Sequence, residues 1–189
     1  LAKHLGDFVN DVALNPRKST KKVSETIGKL KPASVEEYHQ ALPDHIRKYL
    51  NTRGLTDALI SDYKLGWGQF YGKLWITIPI KDVEGNYAFL KLRQDPEDAS
   101  NPDRYKFYPT GSTATIFGWD MLERNDDSVV ICEGEFDCLL LNAYGIPAIT
   151  STAGAMTFKE EWVANLKNLK KVYVCFDNDD TGEKAAARL

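Results

Sequence analysis

The chain has 189 residues, 43% of them apolar and 27% charged, with a formal net charge of −3. That is the balance of an ordinary globular protein with room for one large or two small domains, and no run reaches the about 18–20 apolar residues of a membrane span. The charge is uneven, with 11 basic and 8 acidic side chains in residues 1–65, 7 and 8 in 66–125, and 6 and 11 in 126–189; an acidic whole argues against nonspecific wrapping of nucleic acid, but not against a metal-bridged contact or a local basic groove.

The chain starts at Leu1 with no basic-then-apolar leader, as expected of a piece excised from a longer protein without a secretory signal. Residues 1–33 carry Arg17, Lys18, Lys21, Lys22, Lys29 and Lys31 between Pro16 and Pro32, and are expected to form a solvated linker or N-terminal extension. A phosphate-contacting arm is the alternative. Residues 34–65 predict a helical lead-in. Ser34 is expected to cap a first helix, with Glu36 and Glu37 in its first turn. Ile46, Tyr49 and Leu50 repeat at helical spacing in a second, and Leu55-Thr56-Asp57 is expected to cap a third with Leu59, Ile60 and Tyr63 on one face. Gly66 and Gly68 are expected to end this helical unit.

Residues 66–125 predict a small, antiparallel, β-rich subdomain. A β-branched and aromatic strand over 74–80 turns at 82–86 and returns over 87–93. On that returning strand Lys91 and Arg93 share the parity of Tyr87 and Phe89. Residues 104–108 predict a third strand, with Arg104 and Lys106 as further cations. From Ser128 the pattern changes to strand 129–132, helix 135–144, strand 147–151, helix 157–168, strand 172–176 and a helix from 182. That alternation predicts βαβ crossovers and a parallel sheet over 126–189, an α/β fold. Cys132, Cys138 and Cys175 are odd in number and form no CxxC, so they read as buried residues in a reducing compartment, with zinc not in this segment.

Two acidic motifs end the first and last of those strands. Glu133-Gly134-Glu135-Phe136-Asp137 follows the first, and glycine lets the strand turn sharply into the helix while Asp137 reaches back from the first helical turn. Phe176-Asp177-Asn178-Asp179-Asp180-Thr181-Gly182 follows the last. Glu133, Asp177 and Asp179 would project from neighbouring strand ends into one small volume. Hard oxygen ligands so close together suit Mg²⁺ and phosphoryl transfer. The bland readings are a helix start enriched in acids and a capping aspartate, and Glu135 and Asp180 are assigned to those. A calcium loop fails because Arg188 stands where a bidentate Glu is needed. A phosphoaspartate phosphatase would use Asp177 as its nucleophile and would need a later Lys and acid pair.

Together the two motifs resemble the TOPRIM domain of primases, topoisomerases and certain nucleases. Upstream, Tyr49-Leu50-x-x-Arg53-Gly54-Leu55-Thr56, Tyr63-Lys64-Leu65-Gly66-Trp67, Ile78-Pro79-Ile80-Lys81-Asp82-x-x-Gly85, Lys91-x-Arg93 and Ile116-Phe117-Gly118-Trp119 narrow the resemblance to the DnaG-type primase core. Phe117-Gly118 with the two acidic motifs is most similar to phage primase–helicases and their Twinkle-like relatives. The resemblance covers roughly residues 45–189 and implies RNA primer synthesis on single-stranded DNA from ribonucleoside triphosphates, by two-metal nucleotidyl transfer. It implies that Glu133, Asp177 and Asp179 bind Mg²⁺ or Mn²⁺, that Asp137 supports Glu133, and that Lys91 and Arg93, with Arg104 and Lys106, face nucleotide and template. It also implies a replicative helicase, fused or separate, as partner, and the cytoplasm of a bacterial or phage-infected cell. The sequence departs from the family at Ser112, which replaces a lysine; Lys106 could compensate. The family's zinc-binding module is absent, and residues 1–33 look like its tether. The last TOPRIM strand is absent too, so the expected TOPRIM domain is truncated. The alternatives are a TOPRIM nuclease or topoisomerase, and a noncatalytic DNA-binding module of a replicative helicase.

Overall fold

The computed structural model describes residues 30–123 and 127–189, and most of the expected linker over 1–33 lies outside the described residues. Two compact units appear, 30–113 and 114–189 in their described parts. Together they make a mixed α/β chain with one antiparallel and one mostly parallel sheet, as the sequence predicts.

The first unit starts with helices α1 (Pro32–Gln40), α2 (Asp44–Thr52) and α3 (Asp57–Asp62). The cap of α1 is Lys31, not Ser34, because Pro32 at the first helical position has no N–H to satisfy and a φ already set for the helix. Thr56 caps α3 as expected, its hydroxyl accepting from the Leu59 N–H at 3.3 Å. Ile46, Leu50, Leu55, Ile60 and Leu65 are fully buried.

Strands β1 (Gly66–Phe70), β2 (Lys73–Lys81), β3 (Tyr87–Gln94) and β4 (Tyr105–Tyr108) follow in an antiparallel sheet ordered as in the chain. Strand β1 lies where the two glycines are expected only to end the helices. Their role is spacing: a Cβ on Gly66 would stand 2.5 Å from the Tyr38 carbonyl, so glycine lets α1 pack directly on the strand backbone. Tyr71 and Gly72, at φ 52° and 76°, make the two-residue hairpin into β2. On one face Phe70, Trp75, Leu90 and Leu92 form a core with Leu30, Tyr38 and Tyr108 packed against it. Alternation sends Phe89, Lys91 and Arg93 to the other face.

The second unit holds β5 (Ile116–Phe117), α4 (Trp119–Glu123), β6 (Ser128–Cys132), α5 (Glu135–Ala143), β7 (Ala148–Ser151), α6 (Glu160–Val163), β8 (Lys171–Cys175) and α7 (Asp180–Arg188). The sheet order is β5-β7-β6-β8, with β7, β6 and β8 parallel and β5 antiparallel to β7. The motif at 116–119, expected in the β-rich subdomain, therefore belongs to this second sheet. Ile116 and Phe117 are buried there, and the Thr115 N–H donates to Thr152 Oγ1 at 3.0 Å. The helix expected over 157–168 is shorter: Phe158 is extended, and a four-residue helix sits between two 3-10 turns. Its apolar spacing still serves the core, where Phe158, Trp162, Val163 and Leu166 pack on Val129, Ile131 and Ile149.

One side chain fixes the crossover from α5 to β7. Asn142 donates from Nδ2 to the Ala148 carbonyl at 3.0 Å and accepts from the Ala148 N–H at 2.7 Å. Cys132 and Cys138 are buried, but Cys175 is exposed, against expectation. Strand β8 ends the described sheet, and its alternation turns Lys171, Tyr173 and Cys175 outward. Among the described residues, no helix is long and apolar enough to cross a membrane.

Candidate active site

Strands β7, β6 and β8 run in one direction, so their carboxyl ends open at one edge of the sheet, the edge at which open α/β sheets bind ligands. Glu133 follows β6 directly. Gly134 then caps α5 in an extended conformation, with φ −138° and ψ 170°, and the strand becomes a helix within two residues. Asp137 lies in the first turn, its Oδ2 only 3.4 Å from where a Cβ on Gly134 would stand. The carboxylate thus leans back over the turn that carries Glu133.

Asp177 and Asp179 follow β8 and are exposed. The Asp177 backbone N–H donates to Glu133 Oε2 at 3.0 Å, which joins the two acidic motifs across 44 residues of chain. Asp179 is the N-cap of α7, and its Oδ1 accepts from the N–H groups of Thr181 at 3.0 Å and Gly182 at 2.8 Å. Capping belongs to Asp179, not Asp180, because Asp179 keeps extended backbone while Asp180 is already helical.

The structure therefore brings Glu133 to the start of the second motif but does not gather the three carboxylates. Among the described residues, no three His, Cys, Asp or Glu side chains meet as a metal-ligand group. Glu133 and Asp179 each commit one oxygen to backbone N–H groups. What fits a hard divalent cation is the donor chemistry: carboxylate oxygens from two adjacent strand ends, with Glu133 Oε1 and Asp179 Oδ2 given no donor among the described residues.

Sequence reasoning missed two features of this edge. Glu135 is not an ordinary exposed helix-start acid; it is 4% exposed. Beneath it, burial first, then a bond to Cys132 and the charges of Glu135 and Asp120, push the Cys138 thiol well above its usual range. The second feature is a shelf of buried hydroxyl side chains, Thr150, Ser151 and Thr152, at the end of β7. Ser151 Oγ and Thr157 Oγ1 lie 2.6 Å apart. The signal was visible as three consecutive hydroxyl residues where a strand ends.

The basic residues lie in the first unit. Lys91 is 7% exposed, with its ammonium 4.9 Å from the centroid of the Tyr105 ring. Arg93 is half-buried and pairs with Tyr105 across the β3–β4 register. Arg104 is exposed. Lys106 pairs with Leu92, so it lies on the opposite face of the sheet from Lys91 and Arg93. There it forms an ion pair with Asp103 at 2.9 Å and sits over the Tyr71 ring.

The chain matches known proteins over both units. Residues 130–189 fit a Toprim-like family model. The MG010 protein of Mycoplasma genitalium is 30% identical over 166 residues, which cover 85% of this chain and 72% of that protein. A DNA primase of Chlamydia pneumoniae is 26% identical, over 80% of this chain but only 32% of the primase. Among solved structures, the zinc-binding and RNA polymerase domains of the Aquifex aeolicus primase superpose with a TM-score of 0.66 at 21% identity, covering 82% of this chain and 49% of theirs. A DnaG primase catalytic domain bound to single-stranded DNA gives a TM-score of 0.64 at 18% identity, over 98% of this chain and 66% of that domain. The chain thus spans about a third of the curated primase while sharing the fold of primase catalytic cores, and it belongs to the DnaG-type family as a TOPRIM-containing core.

Proposed function

We propose that this chain is the catalytic segment of a DNA primase, which builds short RNA primers on a single-stranded DNA template in a reaction that needs a divalent cation. The observation that carries this reading is the 3.0 Å bond from the Asp177 N–H to the Glu133 carboxylate, which registers the two acidic motifs at one sheet edge. Glu133, Asp177 and Asp179 would hold Mg²⁺ or Mn²⁺, two ions by family resemblance. Bound there, the cation would neutralise triphosphate charge and lower the pKa of the primer 3′-hydroxyl.

The chain's own residues supply the rest. Asp137 leans over Gly134 and would support Glu133 from the first turn of α5. Asp179 fixes the first turn of α7 while offering its second oxygen outward. Lys91 and Arg93 present cations beside Tyr105 for phosphates and unstacked bases, with Arg104 as an exposed phosphate contact. Lys106, on the other face, would reach nucleic acid only by a separate path. Ribonucleoside triphosphates and a replicative helicase are the remaining partners of this reading, and a bacterial or phage-infected cytoplasm is its setting.

The test is Mg²⁺- or Mn²⁺-dependent extension of a short RNA primer on single-stranded DNA, by this chain alone and in its full-length context, with Asp177→Ala beside each. Extension lost in the variant supports the reading. DNA binding without extension in either form favours a noncatalytic module, a reading to which the capping duty of Asp179 lends weight. Template cleavage would move the chain to the nuclease branch.

A further inference from the structure

We propose that Gly182 is a positioning residue for the acidic site, and that Asp179 ties cation binding to the start of α7. The inference rests on the reading that Glu133, Asp177 and Asp179 hold a divalent cation. Residues 177–182 are braced at three points. The Asp177 N–H donates to Glu133 Oε2 at 3.0 Å. Asp179 Oδ1 accepts from Thr181 and Gly182, while the Asp179 carbonyl accepts the first helical bond from the Glu183 N–H at 2.9 Å. The third brace is a close approach. A Cβ on Gly182 would stand 3.0 Å from the Asp177 carbonyl carbon and 3.2 Å from its nitrogen, and would overlap its carbonyl oxygen.

Glycine is otherwise a poor choice inside a helix. No left-handed backbone demands it here, since the φ of Gly182 is not positive. It is buried between exposed Thr181 and Glu183. What it provides is room for the first turn of α7 to sit against the Asp177 peptide. That same peptide carries the N–H that holds Glu133. A side chain at position 182 would push Asp177 away and shift the anchor of Glu133 with it, although every carboxylate would remain. Asp179 has the complementary split role, with one oxygen on the helix and one left for the cation, so a bound cation and an ordered α7 start favour each other.

The experiment uses the whole chain. Mn²⁺ affinity is read from the electron paramagnetic resonance of free Mn²⁺, and amide hydrogen exchange is followed at Asp177, Thr181 and Gly182 with and without Mg²⁺. Gly182→Ala should weaken Mn²⁺ binding about 10- to 100-fold, the range for groups that orient metal ligands. It should also speed Asp177 amide exchange with no metal present. Asp179→Asn, which keeps a capping oxygen, should retain protection at Thr181 and Gly182 while losing Mn²⁺. In the unsubstituted chain, Mg²⁺ should slow exchange at Thr181 and Gly182; unchanged rates would overturn the inference even if Gly182→Ala failed to fold. Equal Mn²⁺ affinity in the Gly182→Ala and parent chains would overturn the positioning role alone. A parent chain that binds no Mn²⁺ would remove the metal reading, and this inference with it.

Discussion

The two units hold their charged side chains in different ways. In the first, three of the candidate cations lie within strands, Lys91 and Arg93 in β3 and Lys106 in β4. Lys91 is buried in the sheet face, opposite Ile78 and Phe107 and over Tyr105. In the second, Asp177 and Asp179 stand beyond a strand end, exposed, and Glu133 is only half-buried. A charge within a strand is part of the packing, whereas a charge after a strand is met mainly by backbone N–H groups. Lys91 cannot be removed without loosening the fold; the Asp177 side chain can, while Asp179 also caps α7.

The largest effect should come from Asp177→Ala. Primer extension should fall by more than about a hundredfold, because a ligand should matter at least as much as the groups that orient one. Its melting temperature should stay near that of the parent chain, since the N–H that holds Glu133 is backbone and survives the change. A large loss of stability would break the contrast between the units. Next comes Gly66→Ala, which forces a methyl group to within 2.5 Å of the Tyr38 carbonyl and should cost about 1–3 kcal/mol in urea unfolding. Lys91→Ala should cost a similar or smaller amount, about 1–2 kcal/mol, and weaken template binding too. Lys91→Met sharpens the point: it should restore much of the stability but not the DNA affinity, measured by fluorescence anisotropy.

Thiol alkylation compares burial within the second unit. Iodoacetamide should modify Cys175 in the folded chain, while Cys132 and Cys138 react only after denaturation, as peptide mass spectrometry would show. The raised pKa of Cys138 carries a sign. Its contribution to stability is complete below the unfolded thiol value of about 8.5 and fades as pH climbs through the higher folded value. The smallest effect is expected at Lys170→Ala. Its 2.8 Å ion pair with Asp127 is largely exposed, and the stability should change by less than about 0.5 kcal/mol.

Where local pattern and tertiary demand agree, the elements are legible in the sequence. Strands β2 and β3 follow from alternation, and the βαβ order by itself predicts Glu133 and Asp177 at the same sheet edge. Legibility ends where one residue type has two uses. Gly66 reads as a terminator but serves as a spacer under α1. Asp179 and Asp180 are adjacent and chemically alike, and only the backbone conformation decides which one caps. The partner of Ile116-Phe117 lies more than thirty residues away in β7, so no local pattern identifies it. Cys175 looks like Cys132 in composition, and its exposure depends on its strand being the last in the described sheet.

Asn142 has one more consequence. Because its amide holds both backbone groups of Ala148, α5 and β7 are tied together across the turn at Tyr144, Gly145 and Ile146. The N–H groups of that turn close the end of α5 but make no bond to the sheet, and Tyr144 is 82% exposed. The crossover tip is thus a natural port for grafting: a fluorophore, an affinity peptide or a short foreign loop could be inserted after Gly145, leaving the acidic edge of the sheet to report undisturbed.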